Sequence, residues 1–221
     1  MALEILPLGD AGLILRVGDS LGEVLATVRK LEAARIPGVI EIAPAFASVG
    51  VFLASPAFLA SCAAAIPAAL RARKHRGATV RQPRTVEVPV CYDPEFALDL
   101  ETVAQHCHLS PNEIVKRHAA ARYKVRCIGF TPGFPYLSGL PPALVTPRRA
   151  TPRTALPAGS VAIGGGQTGI YPLVSPGGWN IIGRTPLRLF DLARDPAALL
   201  AAGDRVRFVA ITREEFAQWA K

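Results

Sequence analysis

The chain has 221 residues, of which 50% are hydrophobic and 19% charged, with a formal net charge of +8. That is enough chain for one large globular domain or two small ones, and its longest apolar run, Ala57 to Leu70, is too short for a bilayer and broken by Pro67. With no secretory signal at the N-terminus and no motif of a nucleic-acid fold, a cytoplasmic protein is expected, with neither membrane nor nucleic acid as partner.

Leu3 to Leu8 and Leu13 to Val17 read as strands around a Gly9-Asp10 turn. Ser20 with Glu23 makes a capping box, after which Leu21, Val24, Leu25, Val28 and Leu31 fall on one helical face until Pro37-Gly38. Val39 to Ala43 and Phe46 to Leu53 are further strands. Ser55-Pro56 opens a second helix to about Arg76, with a kink at Pro67 and a C-terminal stop at Gly77. Read as strand, helix, strand, strand, helix, strand, this half predicts a small ferredoxin-like α/β domain. Gly77 to Thr85 is polar, basic and proline-bearing, a linker that divides residues 1–82 from 83–221.

Val86, Val88 and Val90 then alternate as a strand, and Asp99 to about Cys107 reads as a helix. Ser110-Pro111-Asn112-Glu113 is a second capping box, opening a helix to about Arg122. Tyr123, Val125 and Cys127 alternate into the loop Gly129-Phe-Thr-Pro-Gly-Phe-Pro-Tyr-Leu137. From Leu156 to Ile211 the sequence is short apolar pieces cut by Gly and Pro, the pattern of a closed or nearly closed β-barrel. Thr212 with Glu215 caps a terminal helix ending at Trp219. The fold class is α+β.

The glycine- and proline-fixed loops around residues 129–137, 164–172 and 175–179 can hold side chains rigidly at a surface. Phe130, Pro132, Gly133, Phe134 and Tyr136 offer an apolar wall with a hydroxyl, or core aromatics. Gln167 and Thr168 follow three glycines without the Gly-Lys-Ser/Thr ending of a phosphate loop; they bring amide and hydroxyl groups to a ligand or mark a barrel bulge. Tyr171, Gly177 and Trp179 complete the expected lining. Arg148, Arg149 and Arg153 stand on a proline-stiffened segment, either forking onto a carboxylate or phosphate or lying solvated. His118 is a buried structural residue or a proton-transfer group, a role Tyr123 could share. The cysteines show no zinc spacing, and His106-Cys107-His108 cannot close on one metal from adjacent helical positions, so no metal is expected.

The ordered set Gly129–Leu137, Thr146-Pro-Arg-Arg-Ala-Thr-Pro-Arg153, Pro157–Gly164, Gln167-Thr-Gly-Ile-Tyr-Pro172, Ser175-Pro-Gly-Gly-Trp179, Ile182–Pro186 and Gly203–Phe208 closely resembles the B subunits of prokaryotic 5-oxoprolinase. These sit within the wider family of allophanate hydrolase subunit 1 and the sporulation-kinase inhibitors. The resemblance implies a cyclophilin-like β-barrel after the small α/β domain. It also implies an ATP-dependent hydrolase acting on a cyclic amide, inactive alone and assembled with the A and C subunits of that enzyme, with ATP handled together with those partners. Within it, His118 and Arg153 are the expected catalytic positions, His118 assisting proton transfer, and Arg149 or Arg153 is expected to hold a carboxylate. Other branches imply an inhibitor of a sensor histidine kinase, or a carboxyltransferase-type component of urea metabolism.

Overall fold

In the computed structural model, which describes residues 3–72 and 82–219, the chain opens with an antiparallel hairpin of β1 (Glu4–Pro7) and β2 (Gly12–Arg16). Gly9 turns it at φ +67°, a left-handed conformation natural to glycine. Helix α1 (Leu21–Ala34) begins where the Ser20 hydroxyl accepts from the Glu23 amide, and it buries Val24, Val28 and Leu31 along one face. It stops at Arg35, which takes φ 44°, ahead of the predicted Pro37-Gly38 stop. Strands β3 (Val39–Ala45) and β4 (Ser48–Leu53) complete a sheet of order β1-β2-β4-β3. A 3-10 turn (Pro56–Phe58) leads into α2 (Leu59–Arg71), which contains Pro67. The predicted extension to Arg76 and the Gly77 stop lie outside the described residues. Because the hairpin places two strands before the first helix, the order is strand, strand, helix, strand, strand, helix. Leu15, Val24, Leu31, Val49 and Ile66 form the core of this α+β unit, Met1–Gln82.

The second unit, Pro83–Lys221, is built around a closed barrel. Its strands are β5 (Thr85–Cys91), β6 (Tyr123–Ile128), β7 (Pro135–Ser138), β9 (Ser160–Gly164), β10 (Gln167–Ile170), β12 (Asn180–Arg184) and β13 (Arg205–Ile211). They close in the order β10-β7-β6-β13-β5-β12-β9, with β13 parallel to β5. Three barrel strands thus come from before Leu156, where the sequence pattern placed the barrel's start. Helices α3 (Leu100–Cys107) and α4 (Pro111–Ala120) intervene, the latter with both hydrogen bonds of the Ser110–Glu113 capping box. A separate two-stranded sheet pairs β8 (Arg153–Leu156) with β11 (Ser175–Gly177), and α5 (Arg213–Trp219) ends the described chain. Among the described residues no helix is long and apolar enough to cross a membrane.

Strand alternation divides the barrel wall into two apolar layers. Val161, Ile163, Ile170 and Ile182 join the barrel core with Val88, Val125 and Phe208. Ala162 and Ile181, between those inward positions, instead join Phe134, Leu156, Tyr171 and Trp179 in a second cluster on the outer face.

Candidate functional site

Trp179 is the hub of the outer cluster. Its ring is edge-on to Phe134 at 5.6 Å and to Tyr136 at 5.8 Å between centroids, and Phe134 is edge-on to Tyr171 at 5.1 Å. Such edge-to-face contacts place ring hydrogens on neighbouring π faces. Glycine makes this density possible. A Cβ at Gly164 would lie 2.5 Å from the Trp179 ring, one at Gly169 2.8 Å from Phe134, and one at Gly177 2.3 Å from the Tyr171 hydroxyl. These glycines are seats for rings, which is why they interrupt otherwise apolar strands.

Phe130 stands at the edge of the cluster, 5.5 Å from Phe134 and 6.2 Å from Tyr171, with 58% of its surface exposed. Its φ of +67° is unusual for a residue with a side chain. Bonds from Gly129 N to Phe134 O and from Phe134 N to Thr131 O hold the loop, with Pro132 exposed at its tip and Gly133 buried beneath. The Thr131 hydroxyl is buried without a hydrogen-bond partner.

The arginine segment is fastened beside this cluster. Thr146 and Gly165 exchange backbone hydrogen bonds, Asn180 Nδ2 donates to Pro147 O at 2.8 Å, and Arg149 N donates to Gly178 O. Arg148 therefore lies 5.7 Å above the Trp179 ring, a cation–π contact. Arg149 and Arg153 turn inward onto Asp99. Arg149 Nη1 donates to Asp99 Oδ1 at 2.6 Å, and Arg153 donates to both carboxylate oxygens at 2.7 and 2.9 Å. The Ile181 amide adds a fourth bond to Oδ2 at 2.8 Å. Burial pushes the Asp99 carboxyl up, but the Arg153 and Ile181 hydrogen bonds and the two guanidinium charges outweigh it and leave the carboxyl below its ordinary range. Both guanidinium groups expected to meet a ligand's carboxylate or to take part in catalysis are paired here with a carboxylate of the chain itself, Asp99. The ion group closes the rim because α3 starts with an aspartate that does not cap its own helix.

His118 lies wholly inside the barrel, its ring 4.5 Å from that of Phe208 and nearly parallel to it. Thr168 Oγ1 donates to Ala162 O at 2.9 Å, so it accepts from His118 Nε2–H at 3.0 Å. His118 Nδ1 in turn accepts from the Tyr92 hydroxyl at 2.9 Å. Burial pulls the imidazole pKa down to about 3, keeping it neutral. Tyr123, also interior, donates to the His118 carbonyl, and burial pushes its phenol up. Neither side chain meets the surface directly; the chain of bonds reaches the wall at Thr168, beside Gln167.

Trp179 ties the remaining expected residues together. Phe134, Tyr136 and Tyr171 belong to its ring cluster, and Gly177 abuts Tyr171. Gln167, half-buried, pairs across the hairpin with Gly164, the seat of Trp179. Thr168 faces inward instead. The sequence reading missed Asp99, Tyr92 and Asn180; an aspartate before a helix looks like an ordinary cap, and the other two carry no local signal. His106 and His108 are exposed and His108 takes a left-handed φ of 53°, so the His-Cys-His run ends its helix.

The carboxyltransferase domain family, subdomain C and D, matches residues 3–200. A relative from Bacillus subtilis (strain 168), named as the B subunit of 5-oxoprolinase, is 40% identical over 227 residues, covering 96% of this chain and 95% of its own. The crystal structure of TTHA0988 superposes with a TM-score of 0.75 at 36% identity over 90% of this chain, which spans 40% of that longer one. The Kluyveromyces lactis urea amidolyase shares the fold, with a TM-score of 0.78 at 19% identity over 98% of this chain and 15% of its own.

Proposed function

This chain belongs to the carboxyltransferase domain family, subdomain C and D, in the branch of the 5-oxoprolinase B subunits, and from that premise we propose that it is one component of an ATP-dependent 5-oxoprolinase. With the partner A and C subunits the assembly would open 5-oxo-L-proline to L-glutamate. The observation that carries this reading is the 40% identity across 96% of the chain to a 5-oxoprolinase B subunit.

Opening the lactam adds water to its carbonyl carbon and breaks the C–N bond, the nitrogen leaving with a proton. The unstrained ring makes this unfavourable or slow near neutral pH, and ATP hydrolysis supplies the driving force. This chain's glycine run does not fit as the phosphate cradle. Gly165 and Gly166 form the two-residue tip of the β9–β10 hairpin, and no helix N-terminus follows them. On this reading the nucleotide is handled together with the partner subunits.

The part proposed for this chain is a rigid ligand-facing wall: Tyr136 and Gln167, with Phe130 and Pro132 at its edge and Arg148 supplying positive charge. Trp179, Phe134, Tyr171 and Gly133, all buried, hold the wall from below together with Gly177. Arg149 and Arg153 act through Asp99 as positioning residues, and His118 acts through Thr168. Reconstitution tests the reading: this chain, combined with the A and C subunits and ATP, should release glutamate from 5-oxoproline, and its omission should abolish release. Full turnover without it would refute the assignment.

A further inference from the structure

Resting on that reading of the assembly, we propose that the apolar ridge of Leu173, Val174 and Leu192, bordered by Phe130, is the surface on which a second, different polypeptide of the enzyme docks. These side chains are 38%, 70%, 85% and 58% exposed. Leu173 and Leu192 share one groove, Val174 follows Leu173 in the chain, and Phe130 borders Tyr171. Gly133 packs so closely on Phe190 that a Cβ there would be 2.8 Å from Phe190 Cβ, and Leu173, Phe190 and Leu192 line one groove of about 880 Å³. Tyr171, which the Phe130 ring approaches, leads directly through Pro172 into Leu173. Single exposed apolar residues are ordinary; several gathered in and around one groove are a docking feature.

The ridge is also held ready. Leu192 projects from a strandless segment fixed by Arg194, whose guanidinium donates to the carbonyls of Arg188, Leu189 and Ala197. The Asp191 carboxylate accepts from the Ala193 amide at 3.0 Å, closing the turn around Leu192. Side chains displayed on a fixed backbone lose little freedom on binding. Charge selects the occupant. Arg184, Arg188 and Asp191 line the groove, and Arg188 pairs with Asp191 at 3.2 Å, so the excess charge is that of Arg184. In a chain of net charge +8 a second copy would set like charge against like. An apolar surface with carboxylates at its rim fits instead. In TTHA0988 the matching fold is 40% of a longer chain, so there it works beside further polypeptide.

The test measures binding of the full chain to the separately purified C subunit from the same organism, by calorimetry without substrate. The Leu192→Glu, Val174→Glu double variant should bind at least tenfold more weakly while melting at the wild-type temperature. Ile40→Glu, at a site 68% exposed in the other unit, should bind as wild type does. Wild-type affinity in the double variant overturns the docking surface and leaves the functional reading standing. Absence of a complex with the wild-type chain overturns the docking surface, while the functional reading is judged by glutamate release from the reconstituted assembly. A wild-type homodimer that Leu192→Glu dissolves would give the ridge to a second copy and overturn the proposal.

Discussion

The inner and outer faces of β9, β10 and β12 are made by alternate residues of the same strands, yet they solve opposite problems. Inside, aliphatic side chains enclose one polar chain, Tyr92 to His118 to Thr168 to Ala162, in which every donor has an acceptor. Outside, glycines replace side chains so that large rings can lie against the wall, while Phe130, the half-buried Tyr136 and Arg148 reach the surface. The inner face specifies a single closed barrel, because a shifted register would leave a buried imidazole without its partners. The outer face uses that rigidity to present chemistry. A residue's position in the strand period therefore says more about its role than its type does, as Thr168 and Gln167 illustrate.

The hub of the outer face offers the largest effect with which to break this comparison. Trp179→Ala should destabilise the second unit by about 4 kcal/mol, as for other buried tryptophans, measured by denaturant unfolding. A loss below about 1 kcal/mol would mean that the rings merely decorate the barrel. Asp99→Ala should cost about 3 kcal/mol, the low end for breaking a buried ion group, since both arginines keep some contact with water. The depressed Asp99 carboxyl contributes stability that is complete above its unfolded value and lost as pH falls through the folded one. An acid melting series should show this loss in the wild type and not in the variant.

Gly164→Ala sharpens the comparison further. A methyl driven into the Trp179 ring should cost about 1–3 kcal/mol by overpacking, whereas Gly166→Ala, with open space around it, should cost under about 1 kcal/mol. On the inner face, a His118 held neutral to about pH 3 predicts a pH slope. Below about pH 6.5 the unfolded chain binds a proton that the folded chain refuses, so stability should fall by up to about 1.4 kcal/mol per pH unit towards pH 3. His118→Gln should flatten that slope in equilibrium unfolding; an unchanged slope would place the titration elsewhere. The smallest expected effect is at the rim. Phe130→Gly removes exposed ring contacts but relieves a left-handed backbone, so stability should stay within about 1 kcal/mol. Glutamate release by the reconstituted assembly should nonetheless fall at least fivefold.

Local chemistry was legible from the residues. Ser110 and Glu113 fix the start of α4, alternation from Tyr123 to Cys127 marks β6, and the Gly-Pro loops flag the aromatic wall, because each signal acts within a few residues. The sequence by itself therefore determined most helices, several strands and the identity of the rings that gather on the second unit. Strand β7 (Pro135–Ser138), which falls largely within the predicted loop, pairs only once the barrel closes. Only the tertiary structure decided what the charged and titratable groups do. Asp99 meets Arg149 and Arg153 across 50 and 54 residues, and His118 meets Tyr92 and Thr168 across 26 and 50. Such pairings arise when a barrel closes and buried charge must find its partner, a global requirement that no local period records.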